Sequence, residues 1–177
     1  LHAARVISEA DEMAHFGVKF GKPEVDIDAL RGWKDGVVGR LTKGLAGLAK
    51  QRKVDVVTGV GRFTSANMIE VTAADGKKST VSFDHCVIAA GSSVAKIPGF
   101  PYDDPRLVDS TGALQLSGIP KRMLVIGGGI IGLEMACVYD ALGARVSVVE
   151  LADGLIPGAD HDLVKPLQKR LEKPYEA

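Results

Sequence analysis

The sequence is short of most features that betray function directly. Its 22 basic and 22 acidic residues cancel to a formal net charge of zero. No bulk attraction to nucleic acid or to an anionic membrane is therefore expected. No apolar run approaches the ~18 residues that suggest a membrane span. It has only two cysteines, Cys86 and Cys137, which stand far apart with neither metal-ligand nor Cys-x-x-Cys spacing. Both are expected to be buried structural thiols, in keeping with a reducing, cytoplasmic setting. The four histidines, His2, His15, His85 and His161, form no cluster, so no metal site is expected and each reads as a surface or capping residue. What remains, 46% hydrophobic and 25% charged residues with 21 glycines in 177 positions, is the composition of a soluble α/β protein. That length suits one domain, or one and part of another. The opening Leu1-His2-Ala3-Ala4-Arg5 has no signal-peptide layout and no initiator Met. The chain is expected to be an internal piece of a longer protein.

One stretch carries most of the chemistry. Met123-Leu124-Val125-Ile126 is a continuous apolar run, suited to a strand buried on both faces of a parallel sheet. It leads into Gly-x-Gly-x-x-Gly, formed by Gly127, Gly129 and Gly132. Gly127 permits the tight turn, Gly129 lets a pyrophosphate approach the backbone, and Gly132 lets the following helix pack closely on the sheet. That helix points its first N–H groups, and the positive end of its dipole, at the phosphates. Gly143 is expected to end it in left-handed backbone. A second strand, Val146 to Val149, then delivers Glu150 about 20 residues after the glycines, where a carboxylate accepts bonds from an adenosine ribose diol. A carboxylate there repels a 2′-phosphate, which favours NAD over NADP. Strand, glycines, helix, strand and acid in that order predict a dinucleotide site.

The rest of the chain reads as follows. Apolar residues at three-and-four spacing predict a helix from Leu1 to about Phe16, stopped by Gly17. Asp26 or Asp28 is expected to cap a second helix whose core face carries Leu30, Trp33, Val37, Leu41, Leu45 and Leu48. Gly36, Gly39, Gly44 and Gly47 lie inside it at roughly 1 kcal/mol each relative to Ala. From Val54 the period becomes extended: strands are expected over 54–63, at Met68–Thr72, and at Thr80–Phe83, the last two joined by a turn at Asp75-Gly76. Cys86-Val87-Ile88-Ala89-Ala90-Gly91-Ser92 reads as an apolar strand whose small end leaves room for a ligand or a crossing backbone. Asp109 starts a short helix through Leu116, and Ser117-Gly118-Ile119-Pro120 resets the chain. The domain boundary is placed there, at 117/118. After Glu150 a loop leads to Asp160, the expected cap of a helix carrying Leu163, Val164, Leu167 and Leu171 on one face.

Together these motifs resemble the flavin disulfide reductase family. Gly59-x-Gly61-x-Phe63, the hairpin, Phe83-Asp84 and Ile88-Ala89-Ala90-Gly91-Ser92 are similar to the second half of that family's FAD domain. Met123 stands where its NAD(P) domain begins. Asp35-Gly36-Val37-Val38, Gly44-Leu45-Ala46-Gly47-Leu48, Asp109 to Leu114 and Leu155 to Asp160 are similar to the dihydrolipoamide dehydrogenase branch. The resemblance covers essentially the whole chain. It implies an α/β fold: the remainder of an FAD-binding domain (residues 1–117, helices plus a β-meander), then the start of a Rossmann-type NAD-binding domain (residues 118–177).

It further implies an enzyme that oxidises dihydrolipoyl groups through a redox disulfide and FAD to reduce NAD. The implied partner is the lipoyl domain of a 2-oxoacid dehydrogenase complex, and the whole protein would be a homodimer. By the same likeness Gly61 approaches FAD through its backbone, and Ala90, Gly91 and Ser92 lie near its pyrophosphate and ribitol. Gly127, Gly128, Gly129, Ile130, Ile131 and Gly132 hold the NAD pyrophosphate, and Glu150 the ribose. Glu134 matches a glutamate beside the flavin that pairs with a lysine this chain does not contain.

The family's redox disulfide, its first glycine fingerprint and its base histidine are also missing from these residues, and Cys86 and Cys137 match neither redox cysteine. No catalytic residue is therefore assigned, and the chain alone is expected to bind FAD weakly or not at all and to turn nothing over. Two other readings stay open here: a transhydrogenase- or mercuric-reductase-like flavin reductase, and a non-catalytic dinucleotide-binding module.

Overall fold

The computed structural model of the chain describes residues 1–172. It separates into two compact units, one of Leu1–Gly32 with the chain from Val94 onward, the other of Trp33–Ser93.

In the first unit, helix α1 (His2–Glu12) runs into a single 3₁₀ turn and stops at Gly17, whose φ of 88° makes it the left-handed cap expected. Helix α2 (Ile27–Gln51) begins here, with Asp26 as its cap: Oδ1 accepts from the N–H of Asp28 and of Ala29 at 3.0 and 2.9 Å. Arg31, on its second turn, donates to the carbonyls of Gln115 and Leu116. Those carbonyls close helix α3 (Ser110–Leu114), whose cap Asp109 accepts from Gly112 N–H as expected. Leu116 leaves that helix with φ 51°, so its buried side chain turns inward instead of continuing the helix.

Strand β4 (Arg122–Ile126), helix α4 (Ile130–Ala141) and strand β5 (Arg145–Val149) form the expected βαβ crossover. The strands are parallel and in register, Arg122 opposite Arg145 through Ile126 opposite Val149. Gly143 ends α4 at φ 103°. α4 packs on both strands and against α1 and α3. The core lies there, on Val125, Leu133, Ala136, Tyr139, Ala144, Val146 and Leu171. Tyr139 donates its hydroxyl to the Ala113 carbonyl at 2.8 Å, satisfying the one polar atom this ring buries. Burial on both faces of β4 is not found: Leu124 and Ile126 are exposed. Among the described residues, only one face has a helix over it.

Helix α5 (His161–Leu171) buries Val164 and Leu171, but Leu163 turns to solvent at 72% exposure. Asp160 occupies the cap position through its backbone, without a side-chain bond.

In the second unit α2 continues to Gln51, followed by an antiparallel ladder of β1 (Val60–Ser65), β2 (Met68–Thr72) and β3 (Lys78–Ser82), in that order. Asp75 and Gly76 (φ 82°) make the tight turn expected of them. Five expectations fail here, the burial of Cys86 among them. α2 has no buried residue; Leu41, Leu45 and Leu48 are exposed, and a Cβ at Gly36, Gly39, Gly44 or Gly47 would meet nothing within 4 Å. Trp33 is not core but 52% exposed. Residues 54–58 and Cys86–Ser92 form no strand, because no described strand lies beside either to satisfy its ladder. Cys86 is accordingly exposed, while Cys137, on α4, is half-buried as part of the core margin.

Candidate dinucleotide site

The site grows out of the carboxyl ends of β4 and β5. Gly127 donates its N–H to Val149 O at 2.8 Å, extending the parallel ladder one residue into the turn. Its φ of 110° is a conformation that L side chains rarely adopt. The chain swings out and re-enters as α4 at the cap residue Gly129. Gly132 is where helix and strand touch: a Cβ there would stand 2.2 Å from the Gly127 carbonyl and 3.1 Å from Val125 Cγ1. The closeness expected of this third glycine is thus a hard steric fact.

The first i→i−4 bond of α4 runs from Leu133 N–H to Gly129 O. The N–H groups of Gly129, Ile130, Ile131 and Gly132 precede it and have no acceptor within the helix. No side chain caps them. Gly129 faces open space, with nothing within 4 Å of the position a Cβ would take. Ile130 and Ile131 are exposed. Four uncapped donors at the positive end of a dipole, beside a residue with no side chain, make a cradle for a diphosphate. The residues fit that group.

Glu150 follows β5 and folds back over the turn. Its Oε2 accepts from Gly128 N–H at 2.7 Å and its Oε1 from Ala152 N–H at 2.9 Å. These amides hold the carboxyl below its ordinary 4.5, Ala152 more than Gly128, against a smaller opposing effect of desolvation. The group is anionic at neutral pH. Each carboxylate oxygen accepts two bonds, so one lone pair on each stays available to a ribose diol.

The structure thus brings Gly127 through Gly132 and Glu150 together. Glu134 sits one turn into α4 on an exposed face. Gly61, Ala90, Gly91 and Ser92 lie in the other unit, all exposed. Gly61 is a ladder residue opposite Val71, and Ala90 to Ser92 have no regular structure. Within that unit none of the four stands at a helix start as Gly129 does. At three positions named only for their resemblance, sequence reasoning missed the contacts. A Cβ at Gly59 would meet Thr72 O at 2.5 Å, a close approach that only pairing geometry reveals. Leu155 and Ile156 lie against Gly128, and no periodicity marks them. Among the described residues no group of His, Cys, Asp and Glu could hold a metal ion, and no helix is long and apolar enough to cross a membrane.

Comparison with known proteins agrees with the fold. The dihydrolipoyl dehydrogenase of Vibrio cholerae is 51% identical over 99% of this chain and 37% of its own length. That of Haemophilus influenzae is 48% identical over the same shares, 99% and 37%. The chain therefore spans little more than a third of the curated relatives it matches. A solved structure of LpdA from Mycobacterium tuberculosis superposes with a TM-score of 0.77 over 98% of this chain and 38% of its own, a likeness of fold alone at 20% identity. The Cu(II) complex of the HOCl-induced flavoprotein disulfide reductase RclA from Escherichia coli is 28% identical, with a TM-score of 0.71 over 85% of this chain and 34% of its own. The family model described as pyridine nucleotide-disulphide oxidoreductase matches residues 2–174, and the chain belongs to that family.

Proposed function

We propose that this chain is the central part of a dihydrolipoyl dehydrogenase and that its own task is to hold NAD. The carrying observation is the cradle itself: four uncapped amides at the start of α4, an open Gly129, and the Glu150 carboxylate fixed beside them. Gly129, Ile130, Ile131 and Gly132 bind the diphosphate through their N–H groups, and Glu150 orients the adenosine ribose. NAD, when bound, accepts a hydride. Glu150 also sets the preference for NAD, since an anionic carboxylate beside a 2′-phosphate is unfavourable.

The relatives' names support the following reading of the whole protein. It oxidises dihydrolipoyl groups with FAD and NAD, as a cytoplasmic homodimer serving the lipoyl domain of a 2-oxoacid dehydrogenase complex. Residues 1–117 are the remainder of its FAD-binding domain and residues 118–177 the start of its NAD-binding domain. Contacts of Gly61, Ala90, Gly91, Ser92 and Glu134 with flavin belong to that longer protein, in which further residues complete the cradle.

Titration of the chain with NAD⁺ and NADP⁺, in wild type and Glu150→Ala, tests the reading. Wild type should prefer NAD⁺ and the variant should lose the preference; equal affinity in wild type refutes the role of Glu150. The longer protein should reduce NAD⁺ with dihydrolipoamide, and these 177 residues should not. A stoichiometric flavin absorbance band in the purified chain would contradict the assignment of FAD contacts.

A further inference from the structure

The middle glycine of the turn is not exposed to a ligand. Gly128 is buried, and both of its backbone groups are engaged. Its N–H donates to Glu150 Oε2 at 2.7 Å, and its carbonyl accepts from Ile156 N–H at 2.9 Å. A Cβ at Gly128 would stand 2.6 Å from Leu155 Cδ2 and 3.2 Å from Glu150 Cβ. Every one of these neighbours comes from the segment just after β5. Ile156 makes its bond from left-handed backbone, φ 49°, a conformation that is rare and unfavourable for a β-branched residue. Its side chain packs on the core and its carbonyl accepts from Ala159 N–H at 3.1 Å, so the surroundings hold it there.

We propose that Leu155-Ile156 is a positioning strap, which fixes Gly128 facing inward and so leaves the diphosphate to the amides of Gly129 through Gly132. The inference rests on reading this turn as a dinucleotide site. It adds residues that shape the site without touching the ligand. It also removes Gly128 from the set of direct contacts. The strap and Glu150 grip the same glycine from one side, so the turn's shape and the direction of the carboxylate are set together.

The test compares Ile156→Gly with Ile156→Pro in the full 177-residue chain. Both lose the side chain. Glycine keeps the N–H and accepts positive φ, whereas proline lacks the N–H and fixes φ near −65°. The Kd for NAD⁺ should rise about tenfold in the proline variant and stay within about twofold in the glycine variant. Amide hydrogen exchange gives a readout that needs no ligand. Ile156 and Gly128 amides should be protected in wild type, and Gly128 should lose protection in Ile156→Pro while Val146 keeps its own.

Equal losses in the two variants, or a wild-type Ile156 amide that exchanges as fast as that of exposed Leu151, would overturn the strap. The wild-type measurement decides even if the proline variant does not fold. A wild-type chain with a protected Ile156 amide and no affinity for NAD⁺ would instead overturn the dinucleotide reading, and the strap's role with it.

Discussion

The two small sheets of this chain differ in one respect that governs the rest. The parallel pair β4–β5 is joined by α4, and its inner face buries Val125 and Val146. The antiparallel ladder β1–β2–β3 is joined by tight turns, and of its residues only Val71 is buried. A parallel connection must cross over, and its helix lands on the sheet it has just left. A hairpin needs no such crossing and brings no cover of its own. Among the buried apolar residues of the described chain, Val71 alone belongs to Trp33–Ser93. The crossover supplies its own core; the hairpin ladder satisfies its backbone and little more.

This contrast can be pressed hardest at Gly132. Gly132→Val puts branched carbon where a Cβ already meets backbone oxygen at 2.2 Å, so cooperative unfolding of the crossover, followed by urea titration, should be abolished. A normal transition would mean that α4 does not rest on β4 as described. Leu133→Ala, at 5% exposure, should cost about 3 kcal/mol in the same experiment, the usual range for emptying a core leucine. Tyr139→Phe removes the hydroxyl bonded to Ala113 O, leaves that carbonyl only its backbone donor Leu116 N–H, and should cost about 1 kcal/mol.

Acid should act on the turn selectively. Glu150 carries a folded pKa below its ordinary 4.5, so its contribution is complete above that value and is lost as pH falls through the lower, folded one. Acid titration of wild type against Glu150→Gln should show this difference shrinking only below the ordinary carboxylate range. A difference that persisted unchanged there would exclude the Gly128 and Ala152 bonds as its cause. Smallest of all, Leu45→Ala in α2, at 67% exposure, should change stability by less than about 0.5 kcal/mol. A loss as large as that of Leu133→Ala would erase the distinction between the two regions.

How much of this was legible beforehand follows the same division. Helix stops at Gly17 and Gly143, the caps Asp26 and Asp109, and the turn at Asp75-Gly76 were readable because each depends on residues a few positions apart. The crossover was readable because its glycines, helix and acid carry fixed spacings. Cys86–Ser92 looked as strand-like as Met123–Ile126, yet only the second has a partner strand, β5. Apolar runs report a readiness to pair, not the presence of a neighbour. The core face assigned to α2 holds at Leu30, which packs on the core, and fails from Trp33 through Leu48 for the same reason. Gly128, an unspecified position of the fingerprint, was named as a ligand contact by resemblance alone. The partners of its N–H and carbonyl emerge only when the chain beyond β5 folds back.

The two thiols fall one to each unit, Cys86 exposed and Cys137 half-buried on α4. That makes the chain its own reporter. A maleimide dye should label Cys86 at once in the native protein, whereas capture of Cys137 must wait for α4 to loosen, since thiol reaction requires access. The lag between the two adducts, followed by mass spectrometry, would then clock local opening of the crossover without any engineered probe.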